Sequence, residues 1–137
     1  WGGLLSKENY EKFSLSFIQK IILSTKKDGV PIIYYSRSKA NFAELKKLDI
    51  SCVGISSENN LGEMYKFFDK KFAIQGNLDV DILKEDESTI KKEITKTLDT
   101  FPFKSGHIFN LGTGITPDIH PDKVAYLVDQ VKELSIK

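Results

Sequence analysis

The feature that most constrains this chain is a regular alternation of short apolar runs with segments at helical spacing. Val30 to Ser36 (VPIIYYS), Ile50 to Ile55 (ISCVGI), Phe72 to Leu78 (FAIQGNL) and His107 to Leu111 (HIFNL) are apolar stretches rich in β-branched and aromatic residues. Such runs predict buried strands, because a parallel strand covered on both faces shows no polar alternation. Between and after them the period changes. Ala40 to Leu48 sets Phe42, Leu45 and Leu48 on one helical face, and Leu61, Met64, Tyr65 and Phe68 line a second short helix. Ser88 to Leu98 carries Ile90, Ile94 and Leu98 on one side. The last helix starts at Pro121, a residue suited to a first helical position, and presents Val124, Leu127, Val128, Val131 and Leu134. One more helix comes before the first strand. Ser6 can cap it, Tyr10, Phe13, Phe17 and Ile21 recur at helical spacing, Lys26 and Lys27 suit its last turn, and Gly29 its end.

Strands that alternate with helices imply parallel pairing through right-handed crossovers. A small doubly wound sheet and part of a barrel both satisfy this order. No glycine-rich turn of the dinucleotide-binding kind follows the first strand, which weakens the former. Residues 1–137 read as a single segment, with no linker or low-complexity tract. At 40% hydrophobic and 28% charged residues, a packed core is expected rather than disorder. The charges balance, 20 basic against 19 acidic, and no basic stripe is interleaved with aromatics, so no nucleic-acid partner is expected. No apolar run approaches a membrane span, and nothing at the start reads as a secretory signal. The lone Cys52 cannot form an internal disulfide, and with only two histidines it is too little for a closed zinc site. These features fit a reducing, cytoplasmic setting. Trp1-Gly2-Gly3 does not read as a translation start, so a fragment is expected.

In parallel α/β proteins the working face lies at the carboxyl ends of the strands. Those ends read Ser36-Arg37-Ser38, Ser56-Ser57-Glu58, Gln75-Gly76-Asn77-Leu78-Asp79 and Asn110-Leu111-Gly112-Thr113-Gly114. An active-site rim and ordinary polar loops are both open readings at this point. Gly112-Thr113-Gly114 could turn backbone N–H groups toward an anion, although a plain turn is the favoured reading of a lone G-x-G. His107 at a strand entrance, His120 before a helix and Cys52 in mid-strand are read as structural. Lys46-Lys47 and Lys91-Lys92 are read as solvated faces. No Ser-His-Asp or Cys-His constellation can be assembled, and no catalytic residue is assigned.

Two strand ends carry a likeness to a known family. Gly106-His107-Ile108-Phe109-Asn110-Leu111-Gly112-Thr113-Gly114-Ile115-Thr116-Pro117-Asp118 resembles the C-terminal signature of uroporphyrinogen decarboxylases, typically G-H-I-F-N-L-G-H-G-I-x-P-D. Gln75-Gly76-Asn77-Leu78-Asp79 is similar to the family's Q-G-N-L-D-P, and Trp1-Gly2-Gly3 with Leu5-Ser6 to its D-S-W-x-G-x-L-S. The resemblance implies an α/β fold: the C-terminal half of a (β/α)₈ TIM barrel, with four parallel strands alternating with helices. It further implies decarboxylation of the four acetate side chains of uroporphyrinogen III to give coproporphyrinogen III, without metal or organic cofactor, by a cytosolic homodimer. The family's paired arginines, key aspartate, tyrosine and serine lie before the position of Trp1. Within the chain, the resemblance implies substrate contact at Thr113, where the family has histidine, with Asn110 beside it and Arg37 at a common lysine. Val80 in place of proline, and Ser56-Ser57 in place of Asp-Trp, are further departures.

Two other readings stay open beside this one. Cobamide-dependent methyltransferases share the superfamily but use a zinc site of His-x-Cys and a further cysteine, for which Cys52 has no partners. A divergent, non-catalytic fragment that only binds or assembles is the other. A half-barrel has open strand edges, so the isolated chain is expected to dimerise, aggregate or be marginally stable.

Overall fold

The computed structural model describes residues 4–35 and 42–136. Helix α1 (Lys7–Tyr10) runs through a π-helical stretch (Glu11–Leu15) into α2 (Ser16–Thr25). There follow β1 (Ile33–Tyr35), α3 (Phe42–Leu45), β2 (Cys52–Gly54), α4 (Leu61–Phe67), β3 (Ala73–Leu78), a 3₁₀ turn (Val80–Lys84), α5 (Glu87–Asp99), β4 (His107–Leu111) and α6 (Pro121–Ser135). The four strands pair in chain order, β1-β2-β3-β4, all parallel. The alternation in the sequence is therefore the architecture. Each element is held by local chemistry: Ser6 accepts from the Asn9 N–H, Asn60 from Glu63 and Asp86 from Thr89, each satisfying a helix-end donor. His120, read as structural, caps α6 through Nδ1 on the Asp122 N–H, with Pro121 following it.

The helices pack on one side of the sheet in two apolar clusters. One joins Tyr10, Leu15 and Ile22 to Leu45, Val53, Ile55, Phe68 and Ile74. The other joins Leu78, Leu83, Ile90, Ile94, Ile119 and Leu127. The opposite face of the sheet is open: Ile33 and Tyr35 on β1 and Ile108 on β4 are 48%, 45% and 41% exposed. The apolar strands predicted cover on both faces, but within this chain β1 and β4 are covered on one.

The first helix departs from its expected face. Phe13, Phe17 and Ile21 are more than half exposed, while Tyr10, Leu15 and Ile22 are buried and Ile18 packs beside them. The π stretch is the reason. It inserts a residue into the turn, so the buried face runs from Tyr10 by five to Leu15 and only then resumes α spacing. The helix also ends earlier than expected, at Thr25, leaving Lys26, Lys27 and Gly29 in the turn beyond it. Val30 is exposed and lies before β1, and Ala40 and Ser36 fall outside the described residues. The other helices and strands lie where the period placed them; β2, β3, α3 and α4 are trimmed at their ends, α5 and α6 run one residue further, and β4 has the expected bounds.

Candidate functional site

Register decides which side chains reach the open face. Tyr35 pairs with Gly54, Gly54 with Gln75, and Gln75 with Ile108, so these residues share the inner side of the sheet. At their carboxyl ends Tyr35, Gly54, Ile55, Gln75, Asn110, Leu111, Thr113, Gly114 and Ile115 line a cleft of about 410 Å³. That lies within the roughly 300–1,000 Å³ of small-molecule clefts. Two of the three anticipated contact residues, Thr113 and Asn110, are thus brought together. Arg37 lies outside the described residues. No cationic side chain lines the cleft among the described residues.

The rim is built by a relay of hydrogen bonds between strand ends. Asn77, 8% exposed, donates through Nδ2 to the carbonyls of Ser56 at 3.0 Å and Asn59 at 2.6 Å, tying the loop after β2 to β3. The Gly112 N–H donates to the Leu78 carbonyl at 2.7 Å, tying the end of β4 to β3. The Tyr35 hydroxyl donates to the Gly112 carbonyl at 2.8 Å, tying β4 back to β1. Gly112 is required by space, since a Cβ there would stand 2.4 Å from the Ser57 nitrogen. Polar residues at the strand ends therefore divide by task. Asn77 braces loops, Asp79 caps the 3₁₀ turn through the Asp81 N–H, and Gln75, Asn110 and Thr113 face the cleft. The Asn110 carboxamide oxygen accepts from the Leu111 N–H, 2.9 Å away, which ties the side chain to the strand end. Sequence reasoning missed Tyr35, which looked like one more apolar strand residue; only its pairing opposite Gly54 marks it.

The remaining candidates are structural. His107 is on the helix-facing side, where its Nε2–H donates to the Gly76 carbonyl at 2.7 Å and its ring lies 5.1 Å from that of Phe101. Burial holds its pKa below the usual histidine value, and the Gly76 bond offsets part of that. Burial pushes the Cys52 thiol up to about 11, so it stays a thiol rather than a thiolate nucleophile or ligand. Among the described residues no group of three His, Cys, Asp or Glu is placed to hold a metal ion. Lys46, Lys47 and Lys91 sit at the surface in ion pairs with Asp69, Glu44 and Glu133.

A parallel α/β sheet with a ligand-sized cleft at the carboxyl ends of its strands, helices on one side and an open inner face defines a partial (β/α)₈ barrel. Residues 1–134 match the family model of uroporphyrinogen decarboxylase (URO-D), and the chain belongs to that family. Proteins named uroporphyrinogen decarboxylase are similar to it along nearly its whole length. That of Legionella pneumophila (strain Corby) is 34% identical over 138 residues, covering 98% of this chain and 39% of that protein. That of Geotalea daltonii is 36% identical over 136 residues, and that of Vesicomyosocius okutanii 38% over 138, each covering 98% of this chain and 40% of the relative. The chain thus spans about two fifths of the length of these relatives. It forms the C-terminal half of the family's barrel. No helix among the described residues is long and apolar enough to cross a membrane.

Proposed function

We propose that this chain supplies one wall of the active site of a uroporphyrinogen decarboxylase, which removes the four acetate carboxyls of uroporphyrinogen III to give coproporphyrinogen III. The observation that carries the reading is the cleft itself. The family's signature segment, Asn110 to Ile115, lines it at the strand ends where barrel chemistry is done. Each decarboxylation needs an electron sink. Protonating the pyrrole ring provides one: CO₂ leaves, its bonding electrons neutralise the ring cation, a second proton completes the new methyl group, and the first proton then leaves the ring to restore the pyrrole. Asn110 and Thr113 can donate hydrogen bonds to carboxylates but cannot balance several negative charges. The cations that clamp the substrate and the carboxylate that steadies the ring cation belong to residues other than these. Arg37 is proposed to add one positive charge at the rim. The working enzyme is proposed to be a cytoplasmic homodimer that uses residues 1–137 as a single segment of its barrel.

The test joins this chain to the preceding part of the Legionella relative and follows coproporphyrinogen and CO₂ produced from uroporphyrinogen. Turnover supports the reading. A folded chimera that binds substrate without turnover points instead to a binding or assembly module, the reading favoured by threonine standing where the family has histidine. A folded chimera that neither binds nor turns over uroporphyrinogen refutes both.

A further inference from the structure

We propose that Tyr35 is a positioning residue of this site: its ring, seated on Gly54, carries a hydroxyl that fastens the Gly112 carbonyl and so holds Thr113 over the cleft. The geometry is unusual for a sheet of this topology. Strands β1 and β4 are at opposite edges, three strand spacings or about 14 Å apart if the sheet were flat. A tyrosine side chain cannot bridge that span. The contact exists because the curled sheet and the turn after β4 bring Gly112 back over the inner face, where the Tyr35 hydroxyl meets its carbonyl at 2.8 Å. Two absent side chains make room for it. A Cβ on Gly54 would lie 2.9 Å from Tyr35 Cδ2, and one on Gly112 would lie 2.4 Å from the Ser57 nitrogen.

Gly112 is consequently gripped from three strands at once. Its N–H is bound to Leu78 at the end of β3, its α-carbon rests on the loop after β2, and its carbonyl is bound from β1. Thr113 is the next residue and is itself exposed to the cleft. With its predecessor clamped, its hydroxyl has a defined place relative to Asn110 and Gln75. Among the described residues, half-exposed Tyr35 makes no bond to the helix layer that would explain the hydroxyl as core packing; its hydroxyl is bound to Gly112. The positioning role rests on the reading of the cleft as a substrate site; the fastening of Gly112 does not.

The experiment uses the chimera with the preceding part of the Legionella relative, carrying Tyr35→Phe, Thr113→Ala and both substitutions together. It reads amide hydrogen exchange at Gly112, the thermal midpoint, and binding of uroporphyrin I, the stable oxidised macrocycle, by its visible absorption. A single neutral hydrogen bond corresponds to at most about tenfold in an equilibrium. Tyr35→Phe is expected to speed Gly112 exchange by up to about tenfold and weaken uroporphyrin binding by about three- to tenfold, with little change in midpoint. Because Tyr35 acts through Thr113, the double variant should bind no more weakly than Thr113→Ala alone. Unchanged Gly112 exchange in Tyr35→Phe overturns the proposal, and so do fully additive losses of binding. If the unaltered chimera binds no uroporphyrin, the substrate role of the cleft fails, and Tyr35's part in binding with it. Gly112 exchange then still decides whether Tyr35 holds the turn.

Discussion

At the scale of single residues, Thr113 is the cleft position where the resemblance implies a histidine, a difference with a direct chemical consequence. Threonine offers one hydrogen-bond donor, whereas histidine can also carry positive charge near neutral pH. In an active chimera, Thr113→His should therefore raise kcat/KM for uroporphyrinogen, by about three- to thirtyfold if one charge-assisted bond is regained. Unchanged kinetics would show that the threonine is a neutral replacement. Gly112 tests the crowding around it. Gly112→Ala drives a methyl group into the Ser57 backbone, so it should cost about 1–3 kcal/mol, seen as a lower midpoint of urea unfolding. His107 sets a pH dependence. Its folded pKa lies below that of the unfolded chain, so the unfolded state takes up the proton first as pH falls. Its contribution to stability is complete above about pH 6.5 and is lost as the pH falls through the lower folded value. His107→Phe should flatten the fall in stability between about pH 7 and pH 5, before the paired carboxylates Glu44 and Asp49 begin to titrate. An equally steep fall in the variant would show that another group is responsible.

At the scale of elements, caps and periods did most of the work that could be read in advance. Strand β4 was legible because its apolar run is bounded by Gly106 and Gly112, and α6 because Pro121 marks its first turn. Helix α5 was legible from Ile90 and Ile94, and its cap at Asp86 is of ordinary strength. Asp86→Ala should lower the thermal midpoint by roughly 3–5 °C. The first helix was misread for a stated reason. A template of 3.6 residues per turn selects Phe13, Phe17 and Ile21, and it has no means of registering one extra residue in the turn. Deleting Lys12 should convert the π stretch to α-helix, keep Tyr10, Leu15, Ile18 and Ile22 on one face, and leave the midpoint unchanged or higher. A large loss of stability would mean that the bulge itself is needed. Of the site, the strand-end loops could be named from the sequence, as could Asn110 and Thr113. The Tyr35–Gly112 bond could not, because its partners are 77 positions apart and meet only through the curl of the sheet.

At the scale of the whole molecule, the open inner face and the exposed stripe Phe13, Phe17 and Ile21 are apolar surfaces of a kind that monomers rarely expose together. Among the described residues, the edges β1 and β4 also present unpaired backbone groups. The isolated chain should accordingly self-associate at micromolar concentration in light scattering, and charged substitutions at Phe17 and Ile108 should reduce that association. A sharp monomer peak would show that these faces are not sticky in water. The order of the sheet has a separate consequence in time. Every strand pairs with the unit next to it in sequence, so each can dock as soon as it leaves the ribosome, and little loop entropy is lost at any step. The Tyr35–Gly112 bond is different, because neither end is useful until β4 has been made and laid down. It works as a completion mark: in pulse-labelled refolding, protection at Gly112 should be the last in the sheet to appear.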